Sequence, residues 1–235
     1  MKDELVIYSK PKGATSEAIR TLRTNLQFSL MDDTKKVIMV TSSIPGEGKS
    51  FISANLAGAF SMVNKKVLLI DCDLRKGRQA KIFGSNSDKG LSLLLLEDIR
   101  NYKKYVIPTE VENLDILLNG MVPPNPSELL GSTKNKELLE LLRKEYDIII
   151  LDCPPTSAVT DALVLSALAD KIVIVSSYKK TPYELLQSTC KAFDSVKDKI
   201  AGIVINNVQH QKGSKYYADG YYQQWETCTA IYYME

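Results

Sequence analysis

Six short apolar runs punctuate the chain, at Val37 to Thr41, Val67 to Ile70, Leu114 to Leu118, Asp147 to Asp152, Ile172 to Ser176 and Ile200 to Ile205. Amphipathic stretches separate them and predict helices near Ala14 to Leu30, Ser50 to Val63, Lys134 to Lys144, Thr160 to Leu168 and Pro182 to Val196. Apolar strands alternating with amphipathic helices describe βαβ units whose parallel sheet is covered on both faces. The expected class is α/β, a doubly wound, mostly parallel sheet.

A chain of 235 residues with 44% hydrophobic residues is long enough to bury one sizeable core, which excludes disorder and coiled coil as whole-chain readings. Runs such as Leu91 to Leu96 and Ile148 to Leu151 fall far short of the roughly 18 apolar residues that span a bilayer. The N-terminus has no apolar h-region, so a cytoplasmic location is expected. A formal net charge of +2 supplies no broad field for nucleic acid or anionic lipid, and no nucleic-acid partner is expected. The cysteines Cys72, Cys153, Cys190 and Cys228 are scattered, as reduced thiols would be. Three prolines crowd Met121 to Pro126, predicting an extended loop, with Ser127 placed to cap a short helix after it. Apolar periodicity stops after Val208, so the expected organisation is one domain over 1–208 and a flexible tail over 209–235.

The first apolar run leads into Ser42-Ser43-Ile44-Pro45-Gly46-Glu47-Gly48-Lys49-Ser50-Phe51. A strand, a small-residue loop and a helix opening on Gly-Lys-Ser direct backbone N–H groups and a helix N-terminus at phosphate. Lys49 is then expected on the β and γ phosphates of ATP and the Ser50 hydroxyl on Mg2+. Ser43 stands where the strict pattern has its first glycine, a mild departure because serine is small. Asp152 ends an apolar strand, where a carboxylate can hold magnesium through its water shell; the alternative is a cap on the turn at Pro154-Pro155. Asp71 and Asp73 follow another apolar run, at the strand edge where open α/β sheets bind ligands.

Six of the 12 tyrosines fall in the last twenty residues: Tyr216, Tyr217, Tyr221, Tyr222, Tyr232 and Tyr233. Their spacing fits neither helix nor strand. Alone they describe a partner-binding tail; beside a nucleotide site they read as phosphate acceptors.

With these pieces, the chain resembles the bacterial tyrosine kinases that control capsule and exopolysaccharide synthesis, in the stand-alone cytoplasmic form of Gram-positive bacteria. The resemblance rests on Pro45 to Ser50, on Leu69-Ile-Asp71-Cys-Asp73-Leu-Arg75-Lys76, on the strand ending at Asp152, on Gly120-Met-Val-Pro-Pro-Asn-Pro-Ser-Glu-Leu-Leu and on the tyrosine cluster. It implies a P-loop NTPase fold related to the partitioning ATPases. It assigns one of Asp71 and Asp73 to magnesium and the other to the base: here Asp73 to the metal and Asp71 to the base, with the reverse as the alternative. Arg75 and Lys76 are implied as contacts for phosphate or an incoming tail, or are solvated loop charges.

Glu17, Arg20 and Arg23 lie three residues apart on the first predicted helix. Spacing alone describes a solvated face with an internal pair. The family uses the same pattern as a subunit contact, which implies a ring homo-oligomer and autophosphorylation in trans. Six phosphotyrosines would add roughly −9 to −12 charges, enough to expect that phosphorylated tails repel and open the ring. The resemblance further implies a transmembrane adaptor of the polysaccharide co-polymerase type as activator, recruitment to the inner face of the membrane through it, a cognate tyrosine phosphatase and other protein substrates.

Two other readings compete. A partitioning or division-site ATPase switch would carry a second lysine early in the phosphate loop, where this chain has Ile44. A nucleotide-gated binding subunit would bind ATP and use the tail only for docking. Two departures from the family are Gly77, where many relatives have proline and where a more mobile loop is expected, and the final stretch Gln223 to Ile231, which weakens the expectation for Tyr232 and Tyr233. Cys72 and Cys153 are expected to be small buried residues rather than redox centres.

Overall fold

A computed structural model describes residues 4–30, 37–85, 87–209 and 227–232. Its helices are α1 (Val6–Ser9), α2 (Ala14–Ser29), α3 (Lys49–Ser61), α4 (Gln79–Phe83), α5 (Leu91–Leu96), α6 (Pro126–Leu130), α7 (Thr133–Glu145), α8 (Asp161–Ser166) and α9 (Tyr183–Ala192). The strands are β1 (Val37–Ser42), β2 (Val67–Asp71), β3 (Ile107–Pro108), β4 (Leu114–Leu117), β5 (Ile148–Asp152), β6 (Lys171–Ser177), β7 (Ile200–Gln209) and β8 (Thr227–Tyr232). They form one sheet in the order β3-β4-β2-β5-β1-β6-β7-β8. The six inner strands are parallel, and β3 and β8 run antiparallel at the edges.

Burial on both faces explains the uniformly apolar runs. Along β1, Val37 and Met39 join a core with α5, α7 and α8, while Ile38 and Val40 join the opposite core with α2 and α3. All six β1 residues are buried. Helix α3 is buried nearly all round because it lies between the sheet and the N-terminal segment: Gly58 meets Ile7 and Tyr8, and Asn55 Oδ1 accepts from Ile7 N at 3.1 Å. An apolar helix without a polar face needs such cover on every side.

The structure departs from the sequence expectations in several places. Leu91 to Leu96 is a helix, burying Leu91, Leu94 and Leu95. Ser127 does not cap α6: Asn125 occupies that position, Pro126 opens the helix, and the Ser127 hydroxyl donates instead to Asp161 Oδ1. The last long helix stops at Ala192 and a 3-10 turn follows over Asp194–Lys199. The segment expected to be wholly a tail contributes β8, which pairs Thr227 with Gln209 and Tyr232 with Ile203. The open edge of β7 supplies a hydrogen-bonding partner that no local pattern reveals. Tyr216, Tyr217, Tyr221, Tyr222 and Tyr233 lie outside the described residues.

Candidate active site

The neighbouring order β2, β5, β1 sets three strand ends side by side. From β1 comes the phosphate loop, from β2 the pair Asp71 and Asp73, and from β5 Asp152, with Asp71 in register with Asp152. This is the C-terminal edge of a parallel sheet, where open α/β folds bind ligands.

Gly48 has φ 95 and immediately precedes α3, and a Cβ there would lie 2.1 Å from Asn206 Nδ2. Only glycine satisfies both the left-handed backbone and that approach. Ser43 is fully buried, and its Oγ accepts from Thr189 Oγ1 at 2.9 Å, so serine at the first-glycine position is held rather than merely tolerated. Beside the loop an open cavity of about 280 Å³ is lined by Thr15, Gly46, Gly48, Phe51, Arg78, Asn206 and Asn207.

Lys49 Nζ lies 3.2 Å from Asp73 Oδ2, 3.8 Å from Asp152 Oδ1 and 3.4 Å from Ser50 Oγ. Burial alone would lower its pKa, but Asp152, Asp73 and Asp71 together outweigh that effect and raise it. Lys49 is therefore a firm cation among three buried carboxylates. Asp152 is completely buried; its Oδ1 accepts from Ser53 Oγ at 3.3 Å and its Oδ2 from Gln79 Nε2 at 2.8 Å. That network overturns the turn-capping alternative, because both oxygens face into the site.

Asp71 is also fully buried, and its oxygens accept from Asp73 N at 3.2 Å and Gln79 N at 3.0 Å. Burial, reinforced by Asp152, pushes its pKa up from 3.8 to about 8 despite the bond from Gln79. Asp73 is more accessible: Oδ2 faces Lys49, and Oδ1 accepts from Lys76 N at 2.9 Å and Arg75 N at 3.4 Å. Gly77 turns close under this group, where a Cβ would lie 2.5 Å from Asp71 Oδ2. The glycine is thus needed for close approach rather than for a mobile loop.

Arg75 points its Nε at buried Asp161 Oδ2, 3.4 Å away, and an Nη2 donates to Ser127 Oγ at 3.5 Å. The guanidinium thereby ties the β2–α4 loop to the starts of α6 and α8 and is not simply solvated. Lys76 is exposed, engaged through its backbone N–H. On α2, Glu17 and Arg20 pair within the chain at 2.5 Å, while Arg23 Nη1 reaches back to Ala59 O at 3.3 Å. Cys72 and Cys153 are buried on adjacent strand ends; hydrogen bonding to Cys153 and then burial raise the Cys72 thiol well above its ordinary value, which makes it a poor nucleophile.

Sequence reasoning missed Ser53, Gln79, Thr189, Asn206 and Asp161. Ser53 was within reach, being three residues beyond Ser50 on the same helix face. The others arrive from distant elements and carry no local signal.

A strand-loop-helix phosphate cradle closed by strand-end carboxylates defines a P-loop nucleotide-binding protein. Residues 35–206 match the family model described as AAA domain. The chain is 40% identical over 222 residues to the tyrosine-protein kinase YwqD of Bacillus subtilis, covering 94% of this chain and 92% of that protein. It is 36% identical to the tyrosine-protein kinase wzc of Salmonella typhimurium, again over 94% of this chain but only 31% of that longer protein. The crystal structure of the chimerical protein CapA2B2 superposes with a TM-score of 0.81 at 35% identity, covering 86% of this chain and 89% of the other. The chain belongs to the bacterial tyrosine-protein kinase family. A likeness to the septum site-determining protein MinD of Pyrococcus horikoshii, with a TM-score of 0.59 at 23% identity, reflects the shared fold alone.

Proposed function

We propose that this kinase transfers the γ-phosphoryl group of ATP to tyrosines of its own C-terminal segment. The observation that carries the reading is the convergence of Lys49 with Asp71, Asp73 and Asp152 behind the phosphate loop. Two oxygen types suited to a hard cation, the Ser50 hydroxyl and the Asp73 and Asp152 carboxylates, fit Mg2+. Among the described residues no group of three or more His, Cys, Asp or Glu is placed to hold a metal ion by itself. Bound magnesium would supply charge neutralisation on the phosphates.

The chain's own groups do the rest. Backbone N–H groups of the loop and Lys49 hold the phosphates. Asp71 accepts the phenolic proton as the tyrosine oxygen bonds to the γ-phosphorus and the bond to the β-phosphate oxygen breaks, releasing ADP. A phenol has a pKa of about 10, so a carboxylate placed to take its proton as the bond to phosphorus forms lowers the barrier by position and charge. Arg75, held by Asp161, and exposed Lys76 lie on the loop an incoming acceptor would meet.

The reading extends to assembly: a ring built through Glu17, Arg20 and Arg23 presents one subunit's tail to the next, and accumulated phosphate opens it. The half-exposed Glu17–Arg20 pair leaves these groups at the surface for a neighbour. The same family reading includes activation by a membrane-spanning adaptor, reversal by a phosphatase and control of polysaccharide synthesis. Among the described residues no helix is long and apolar enough to cross a membrane.

Strand topology separates the acceptors. Strand β7 passes the phosphate loop at Asn206, which meets Glu47, and continues to Gln209; β8 starts opposite Gln209 at Thr227 and runs back until Tyr232 pairs with Ile203, behind Asn206. Three residues of strand withdraw Tyr232 by roughly 10 Å. Tyr216, Tyr217, Tyr221 and Tyr222 fall in the sequence between Gln209 and Thr227, which pair at the end of β7 that lies beyond the loop contact, on the side of the sheet where the parallel strands end. Phosphopeptide mass spectrometry after incubation with Mg-ATP and an adaptor fragment should therefore find phosphate first on these four, later and less on Tyr232 and Tyr233, and none in Lys49→Met. ATP hydrolysis with every tyrosine unmodified would favour the switch ATPase; Tyr232 labelled first would overturn the topological ordering.

A further inference from the structure

Glu47 is completely buried inside the phosphate loop, an unusual place for a carboxylate beside a site meant for anions. Its Oε2 accepts from Ile44 N at 2.7 Å. Its Oε1 turns away from the site, accepting from Ser177 N at 3.1 Å and from the Thr181 hydroxyl. Ser177 ends β6 and Thr181 precedes α9, so the carboxylate bridges the loop to a turn on the neighbouring strand.

That turn and the end of β7 also take up the loop's carbonyls. Lys180 Nζ donates to Pro45 O at 3.4 Å and Gly46 O at 3.3 Å, and Asn206 Nδ2 donates to Glu47 O at 2.9 Å. Ser42 Oγ donates to Ile44 O at 3.0 Å. Four consecutive carbonyls, from Ile44 to Glu47, are thus bound by side chains. By contrast, among the described residues no hydrogen bond within the protein takes up the N–H groups of Gly46, Gly48, Lys49 or Ser50. A loop whose carbonyls are taken up by side chains while its N–H groups are left without protein acceptors keeps those N–H groups available, which is what a phosphate needs.

We propose that Glu47 is a positioning residue: with Thr181 and Lys180 of the β6–α9 turn it holds the phosphate loop open for ATP before the nucleotide arrives. The proposal rests on the nucleotide-binding reading but not on phosphotransfer. Its chemistry is preorganisation, since donors already aimed at the phosphates need no rearrangement on binding. A glutamine at position 47 fills the same space but must turn an N–H2 toward one of the N–H donors, leaving that donor unpaired.

The test is equilibrium binding of Mg-ADP, read with a fluorescent ADP analogue, for the wild type, Glu47→Gln, Thr181→Val and Lys180→Ala, with thermal midpoints measured without nucleotide. Glu47→Gln and Thr181→Val should each weaken binding about tenfold, and together by less than the product of the two, because both break one connection. Lys180 is exposed, so Lys180→Ala should fold normally and still weaken binding about threefold. Lower midpoints with Mg-ADP affinity unchanged in Thr181→Val and Lys180→Ala would make Glu47 a residue of fold stability only and overturn the proposal. A wild type that binds no Mg-ADP would remove the nucleotide reading and the proposal together, whereas tight binding without tyrosine phosphorylation would leave the proposal standing.

Discussion

Lys49→Met should abolish tail phosphorylation, with kcat down by at least about 100-fold, and should also change the unliganded protein. The ammonium is the charge that Asp73 and Asp152 face, at 3.2 and 3.8 Å. Without it three buried carboxylates confront one another, and removing one member of a buried ion pair costs roughly 3–5 kcal/mol. Part of that cost is avoided when Asp71 binds a proton, so the variant's thermal midpoint should recover as pH is lowered. Calorimetry across pH, run beside the phosphorylation assay, checks both. A variant inactive but as stable as the wild type at every pH would mean that Lys49 does not compensate the carboxylates in the free protein.

Asp71→Asn should separate activity from stability. Burial and Asp152 raise this carboxyl from 3.8 to about 8, so the folded protein holds a proton that the unfolded chain has released. Stability linked to that proton is present at low pH and is lost as pH rises through the folded value. The unliganded wild type should therefore lose thermal stability more steeply than Asp71→Asn between about pH 5 and pH 8. In the same variant tyrosine phosphorylation should fall by about 100-fold or more, since the proton acceptor is gone. Parallel stability curves would show that Asp71 titrates normally, and retained activity would pass the role of base to Asp73.

Much of this protein is legible from its sequence because the informative features are local. The parallel strands are buried on both faces, so runs such as Ile148–Asp152 are apolar without interruption, and the phosphate loop is a contiguous spacing of small residues around Lys49. The three carboxylates could be placed because each follows an apolar strand. What stayed hidden depends on long-range pairing. The two-residue strand β3 has no periodicity to detect, and β8 exists only because β7 offers an unpaired edge. Gln79 reads as an ordinary loop residue, yet it sits 1% exposed and binds both Asp152 Oδ2 and Ser50 O. Its role is set by the fold of the β2–α4 connection. Glu47 belongs to the loop by sequence, but only the fold reveals that its carboxylate is bound by Ile44, Ser177 and Thr181.

Strand β8 also bears on how the chain behaves in a test tube. It lies along β7, a strand of ten residues, and occupies hydrogen-bonding groups that would otherwise form an unpaired ladder. Bare strands of that length recruit one another. A shortened version ending before Thr227, the natural choice for removing the tyrosines, would strip this cover and should self-associate in proportion to concentration, as light scattering would record. Replacing the tyrosines with phenylalanine keeps the cover in place, and so makes the cleaner acceptor-less enzyme.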